Sequence, residues 1–285
     1  MNGPQTAAQA MVAATARLRA AGVPDPARDA RVLLAHAARI EASRVTLIAP
    51  EDLNQDIAER YEQLIALRAI RVPVSHLLGE REFYGRRFKV SCDVLDPRPE
   101  TECLVEAALA VPFRQVLDLG TGSGCILVTL LAEHRDATGL GVDLSEAACL
   151  QASANAVLHR VEARADIRQS DWFQKVEGQF DLIVSNPPYI ALDEMPGLSA
   201  EVRNHEPEMA LTDGGDGLGA YRRITKDVTH YLKPGGRVLV EIGPTQAIAV
   251  AALFEQAGLG QVRVVQDLDG RDRVICAQGA RTGED

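Results

Sequence analysis

The chain has 285 residues, room for one large domain beside a small one. Apolar residues make up 46% and charged residues 25%, which excludes a disordered or fibrous protein, and no apolar run approaches the roughly 18 residues of a membrane-spanning helix. Against 30 basic side chains stand 40 acidic ones, and the resulting net charge of −10 argues against nucleic acid as the main partner, because phosphate binding leans on basic surface.

Residues 1–78 read as a bundle of short helices. Residues 1–24 hold no acid but carry Arg17 and Arg19, a composition shared with transit peptides. The same stretch reads as an amphipathic helix with Met11, Val12 and Leu18 on one side, and the next helix continues the pattern. A bacterial-type cytoplasmic protein is therefore expected. Asp25 and Pro26 open the second helix as N-cap and first turn. A third follows Asp52, with Ile57, Tyr61, Leu64, Ile65 and Leu67 at helical spacing. Residues 79–98 form a linker in which Phe83, Tyr84, Phe88 and Val90 flank a Gly85-Arg86-Arg87 turn, the pattern of a β-hairpin. In "PRPETE" two prolines stop any strand, and Glu100 or Thr101 stands where a cap for Cys103–Leu109 belongs.

From about Gln115 onward strand and helix patterns alternate: "QVLDLG", a helix from Ser123, "GLGVDL", a helix from Ser145, then "DIRQSD", "FDLIVSN" and "GRVLVEIG". Such βα units predict a parallel sheet covered on both faces. The closing pair "QVRVVQD" and "RDRVICAQ", joined by "LDG", predicts one antiparallel strand. The fold class is therefore α/β: a Rossmann-like, mostly parallel seven-stranded sheet over residues 99–285, preceded by the helical bundle. The five cysteines (Cys92, Cys103, Cys125, Cys149, Cys276) lack metal spacing and the histidines are unpaired in sequence, so reduced thiols and no metal are expected.

"DLGTGSG" leaves a strand and enters a helix. Its spacing is not that of a dinucleotide loop, and no Lys-Ser/Thr follows to hold a triphosphate. Asp143 ends the next strand, where a carboxylate accepts from both hydroxyls of a ribose. Together they point to an adenosine-type ligand. In an open parallel sheet the ligand crevice lies at the carboxyl ends of the strands, so Gly120, Asp143, Asp171-Trp172 and Asn186 are expected to share one crevice. At the last of these tips "DLIVSNPPYI" stops a strand rigidly: two prolines remove donors and fix φ, and Asn186 precedes them. The Asn186 side-chain carbonyl and the Pro187 backbone carbonyl make a pair of acceptors suited to an NH₂ group with two hydrogens, and Tyr189 is placed to stack on such a planar group.

"DLGTGSG", Asp143 and "NPPYI" resemble the class I S-adenosylmethionine-dependent methyltransferases that act on planar nitrogens. The tetrapeptide is shared by enzymes for adenine, cytosine and glutamine, so it does not choose the substrate. "GEREFYGRRF", "PRPETE", "EVRNHEPEMALTDGGDGLGAYRRI" and "DLDGRDRV", with the helical N-terminus, resemble the bacterial peptide chain release factor glutamine N5-methyltransferases from about Ala27 to Gln278. His76 and Asp96 stand where that pattern has an aromatic and an apolar residue. The resemblance implies methyl transfer from S-adenosyl-L-methionine, leaving S-adenosyl-L-homocysteine, to the glutamine of a Gly-Gly-Gln loop in release factors. It assigns Gly120, Thr121, Gly122, Ser123 and Gly124 to the methionine side of the cofactor, Asp143 to the ribose and Trp172 to adenine. Asn186 falls to both cofactor and substrate, and Pro187, Pro188 and Tyr189 to the substrate, with Asn186, Pro187 and Tyr189 catalytic. The helical bundle would grip the release factor, a monomer is expected, and neither stable nucleic acid nor membrane is a partner. Close relatives that methylate a ribosomal-protein glutamine, and nucleic-acid adenine-N6 methyltransferases, share parts of the pattern and stay open as alternatives.

Overall fold

The structure, a computed structural model, describes residues 5–280. It divides into two compact units, the first reaching Glu80 and including Ser199–His205, the second holding Arg81–Leu198 and Glu206 onward. The first unit carries α1 (Ala7–Ala20), α2 (Pro26–Ala38), α3 (Val45–Ile48), α4 (Gln55–Ala69) and α5 (Val74–Leu78). On α1 the buried stripe is Ala7, Ala10, Ala14 and Leu18; of the expected Met11, Val12 and Leu18, Leu18 is buried, Met11 packs against the core from its edge and Val12 is 72% exposed. Three alanines at helical spacing let α1 approach α2 closely, so small residues rather than large ones mark the core face. Asp25 caps α2 by accepting from the Arg28 amide, and α4, which follows Asp52 as expected, is capped by Asn54, which accepts from the Ile57 amide (2.9 Å).

The second unit opens with β1 (Glu80–Phe83) and β2 (Arg86–Lys89). Their turn falls on Tyr84 and Gly85, both at positive φ (50° and 66°), one residue earlier than expected. A two-residue turn with two left-handed positions matches the twist of the flanking strands. Then come α6 (Glu102–Leu109), β3 (Gln115–Leu119), α7 (Cys125–Glu133), β4 (Thr138–Asp143), α8 (Glu146–Leu158), β5 (Ala165–Gln169) and β6 (Phe180–Ser185). After α9 (Ala200–His205) follow α10 (Gly219–Tyr231), β7 (Leu232–Glu241), α11 (Ala247–Gln256), β8 (Gly260–Gln266) and β9 (Asp272–Gln278). The short α9 belongs to the first unit through Glu201, which accepts from Arg68 Nη2 (2.9 Å) and Arg71 Nε (2.7 Å). Arg68 is buried and also donates to Asp29 Oδ2 (2.8 Å), so its charge meets two acids rather than none.

The seven-stranded sheet runs β5-β4-β3-β6-β7-β9-β8, with β9 antiparallel to both neighbours and every other pairing parallel. Both faces are apolar, and side chains alternate between two cores as the two-residue period of a strand requires. Leu182 and Val184 of β6 join Val116, Leu127, Leu239 and Val274 on one face. Ile183 between them joins Leu117, Val238, Tyr221 and Phe254 on the other. The chain order reverses between β3 and β6, which is where an open sheet of this kind leaves its crevice.

Candidate active site

Register brings the carboxyl ends of four strands level. Leu119 pairs with Val142 on one side and Ser185 on the other, and Asp143 pairs with Gln169. At the reversal point the Ser185 hydroxyl donates to the Leu119 carbonyl (2.7 Å), so the last residue before Asn186 is tied to the last residue before the glycine loop. Above these ends lies a crevice of about 520 Å³ lined by Gly120, Thr121, Gly122, Ser123, Asp143, Trp172, Asn186 and Pro188, among others.

The glycine loop is shaped by its three positive-φ positions, Gly120 (70°), Gly122 (54°) and Gly124 (78°). A Cβ on Gly120 or Gly122 would meet nothing within 4 Å, so this backbone is bare toward the crevice. Gly124 is different: it is the N-cap of α7, and a Cβ there would press on Ala152 of α8 at 3.0 Å. The helix expected from Ser123 therefore starts at Cys125. The Thr121 hydroxyl donates to Asp118 Oδ2 (2.7 Å) and folds the loop down onto β3.

Asp143 does two jobs. Its Oδ2 accepts from the Gly122 amide (2.9 Å), bracing the loop, and its Oδ1 accepts from the Ser145 amide (2.9 Å). The cap of α8 is Ser145 itself, accepting from Ala148 (3.2 Å). Burial pushes the Asp143 carboxyl above the usual range, against the pull of the Ser145 and Gly122 amides. A carboxylate has about four lone-pair directions, and two of Asp143's are taken. The rest suit a vicinal pair of hydroxyls. Bare glycine backbone, a strand-end carboxylate with spare acceptor capacity and Trp172 on the crevice wall fit S-adenosylmethionine as the residue pattern required. Asp143→Ala is expected to weaken binding of S-adenosylhomocysteine roughly 10- to 100-fold, the scale of hydrogen bonds to a charged group. Calorimetric titration checks this, and affinity within about twofold of wild type would take the ribose away from Asp143.

Asn186 and Pro188 line the crevice; Pro187 and Tyr189 are not among its lining residues. Pro187 is buried, and the Tyr189 ring packs into the second core with its hydroxyl donating to Glu241 Oε1 (3.3 Å). The tetrapeptide is thus pinned at both ends. Asn186 Nδ2 donates to Thr101 Oγ1 (3.2 Å), and Gln246 Nε2 donates to the Tyr189 carbonyl (2.9 Å) and to that of Gly217 (3.2 Å). Thr101 therefore does not cap α6 with its side chain, as the sequence suggested. Glu102 reaches back to accept from the Tyr84 amide (2.8 Å), and Arg98 donates to both oxygens of Glu206 (2.6 and 2.7 Å).

Four contributors escaped the sequence reading. Thr101 and Gln246 lie 85 and 57 positions from the partners they hold. Glu241 is a buried acid directly after the apolar run Val238-Leu239-Val240 of β7, a legible anomaly. Asp213 accepts from Gly215, Gly217 and Gly219 amides (2.8, 3.1 and 2.6 Å), and an aspartate heading "DGGDGLG" is the usual signal for such a turn.

Two acids under the crevice are fully buried. Burial pushes Asp118 up to about 7, against the Thr121 hydroxyl, and pushes Glu241 up to about 7, against Thr101, Arg273 and Tyr189. In the unfolded chain both ionise near pH 4, so at higher pH the folded unit holds protons the unfolded chain has lost. Stability from these groups is full below about pH 4 and declines as pH rises through about 7, on the order of 3 kcal/mol for each carboxyl. The thermal midpoint of Glu241→Gln is expected to fall less than that of wild type between about pH 5 and 8. Parallel curves would remove Glu241 from this account.

A glycine loop, a strand-end acid and Asn-Pro-Pro-Tyr converging at the reversal point of this sheet define a class I S-adenosylmethionine-dependent methyltransferase for planar nitrogens. Residues 9–79 match the PrmC N-terminal domain and residues 91–217 the methyltransferase small domain. The chain is 56% identical to the release factor glutamine methyltransferase of Cereibacter sphaeroides, covering 95% of this chain and 98% of that one. It is 41% identical to the protein of that name from Agrobacterium fabrum, covering 96% and 97%. A methyltransferase crystal structure from Pyrococcus furiosus shares the fold at a TM-score of 0.54 and 15% identity, over 78% of this chain and 99% of that one. The chain belongs to the release factor glutamine methyltransferase family.

Proposed function

We propose that the chain transfers a methyl group from S-adenosyl-L-methionine to the side-chain amide nitrogen, N5, of the glutamine in the Gly-Gly-Gln loop of peptide chain release factors. The observation that carries this reading is Asn186, anchored beside Thr101 and facing the same crevice as the glycine loop and Asp143. When bound, the cofactor supplies a sulfonium-activated methyl group open to in-line displacement. The glutamine nitrogen is a poor nucleophile because its lone pair is delocalised into the carbonyl. Asn186 Oδ1, on the crevice wall, accepts from this NH₂ group, localises density on nitrogen and aims it. The Pro187 carbonyl takes the second hydrogen only if the substrate reaches past the lining to that buried residue. Positioning of this kind supplies up to roughly 7–11 kcal/mol in favourable cases. The extra proton leaves to water once the nitrogen is alkylated and acidic.

The helical unit grips a part of the release factor away from the loop, and the enzyme works as a cytoplasmic monomer. The net charge of −10 supports a protein rather than a nucleic-acid substrate. Among the described residues no helix is long and apolar enough to cross a membrane.

The test is transfer of labelled methyl to a purified release factor and to the same factor with its Gly-Gly-Gln glutamine changed to alanine. Label on the intact factor only is expected. Label on ribosomal protein or nucleic acid instead would keep the cofactor and overturn the substrate.

A further inference from the structure

We propose that Thr101 and Glu241 act as a positioning pair that fixes which way round the Asn186 carboxamide sits. The inference rests on the role given to Asn186 above. A carboxamide is nearly symmetric in shape and opposite in chemistry at its two ends. Only with Oδ1 toward the crevice does Asn186 accept from the substrate amide; turned over, it would set NH₂ against NH₂. The choice is made from behind. Asn186 Nδ2 donates to Thr101 Oγ1 at 3.2 Å, and Thr101 is 2% exposed, so no bulk water competes.

A hydroxyl can donate or accept, so Thr101 enforces this orientation only if its own proton is committed elsewhere. Glu241 provides for that. Glu241 is 1% exposed, Oε1 accepts from the Tyr189 hydroxyl at 3.3 Å, and among the described residues no hydrogen bond within ordinary distance and angle reaches Oε2. Among the groups around it, the Thr101 hydroxyl favours the charged form of this carboxyl. An ionised carboxylate is acceptor-only, so it draws the Thr101 proton and leaves Oγ1 to accept from Asn186. A protonated Glu241 becomes a donor. Thr101 then accepts from it and turns its own proton toward Asn186, which favours the inverted amide.

The groups facing Glu241 set that balance. Arg273 on β9 favours the charged form, Glu100 opposes it, and Tyr189 donates to it. Tyr221 on α10, Cys103 on α6 and Cys125 on α7 are the other titratable neighbours, all with raised pKa and so neutral around pH 7. The productive orientation therefore follows the ionisation of one buried acid that never touches the substrate.

Three variants test the pair with wild-type enzyme and purified release factor. Thr101→Val keeps the shape and removes the hydroxyl. It is expected to lower kcat roughly 10- to 100-fold, with KM and S-adenosylhomocysteine affinity within about twofold of wild type. Thr101→Ser restores most of the lost kcat. The kcat of wild type rises with pH through about 7, and in Glu241→Gln that acid limb is gone. Unchanged kcat in Thr101→Val, a loss lying wholly in KM or cofactor affinity, failure of serine to restore, or an acid limb that persists in Glu241→Gln each overturns the pair. Wild type that methylates no glutamine at all overturns the functional reading and this inference with it.

Discussion

Asn186→Ala is expected to lower methyl transfer to the release factor by roughly 100- to 1,000-fold, the loss seen when a preorganised polar group is removed from a reacting centre. Cofactor affinity should fall far less. The glycine loop is held by Asp143 and by Asp118 through Thr121, and neither contact runs through Asn186. The variant also leaves the buried Thr101 hydroxyl without the Asn186 donor, a modest loss. Single-turnover transfer and calorimetric binding of S-adenosylhomocysteine separate the two effects. Near-normal turnover would end the proposed role of the asparagine, and an equal loss in cofactor binding would make it a cofactor residue only.

Gly217→Ala is expected to be nearly as damaging although the residue touches no substrate. Gly217 sits at φ +75°, and a Cβ there would collide with the Tyr189 carbonyl while lying 3.0 Å from Gln246 Nε2 and 3.1 Å from the Ala191 amide. None of these can move freely, because Gln246 bonds both the Tyr189 and the Gly217 carbonyls. The left-handed backbone costs an alanine about 1–2 kcal/mol and the overpacking about 1–3 kcal/mol more. Relief by shifting the Tyr189 carbonyl would drag Pro188 and Asn186 with it, so turnover falls together with stability. Gly214→Ala is the control. Its φ is +76° but a Cβ there meets nothing within 4 Å, so only the backbone effect remains. Thermal unfolding and kcat measured on both variants decide the matter: equal behaviour would show that the packing against Tyr189 does not matter.

The sheet was legible in the chain because its central strands β3 and β6 are short apolar runs followed by a glycine or an asparagine, and strand and helix patterns alternate around them. The final antiparallel strand was legible because two such runs stand too close for a crossover. Gly120, Asp143, Trp172 and Asn186 could be placed in one crevice from topology alone. What escaped were contacts between residues far apart in sequence. "PRPETE" offers Thr101 as a plausible cap, and nothing local says its hydroxyl turns instead to Asn186. Tyr189 reads as a stacking ring, while the acid that holds its hydroxyl lies 52 positions away. The hairpin turn was misplaced by one residue because Tyr84 is an unexpected residue to accept a left-handed position.

The placement of β9 bears on how the molecule comes into being during synthesis. Among the described residues it is the last strand in sequence, yet it lies inside the sheet, between β7 and β8. As the polypeptide emerges, β3 to β7 can pair in turn, but β8 then has no neighbour to receive it, and β7 is left with an open flank. Val274, Ile275, Cys276 and Ala277 complete both cores at once when they arrive. A chain interrupted near residue 271 would therefore leave the β7 flank that β9 covers open to strands of other chains, the usual route to strand exchange and aggregation. The seven-residue strand β9 therefore acts as a latch that closes both cores in a single step.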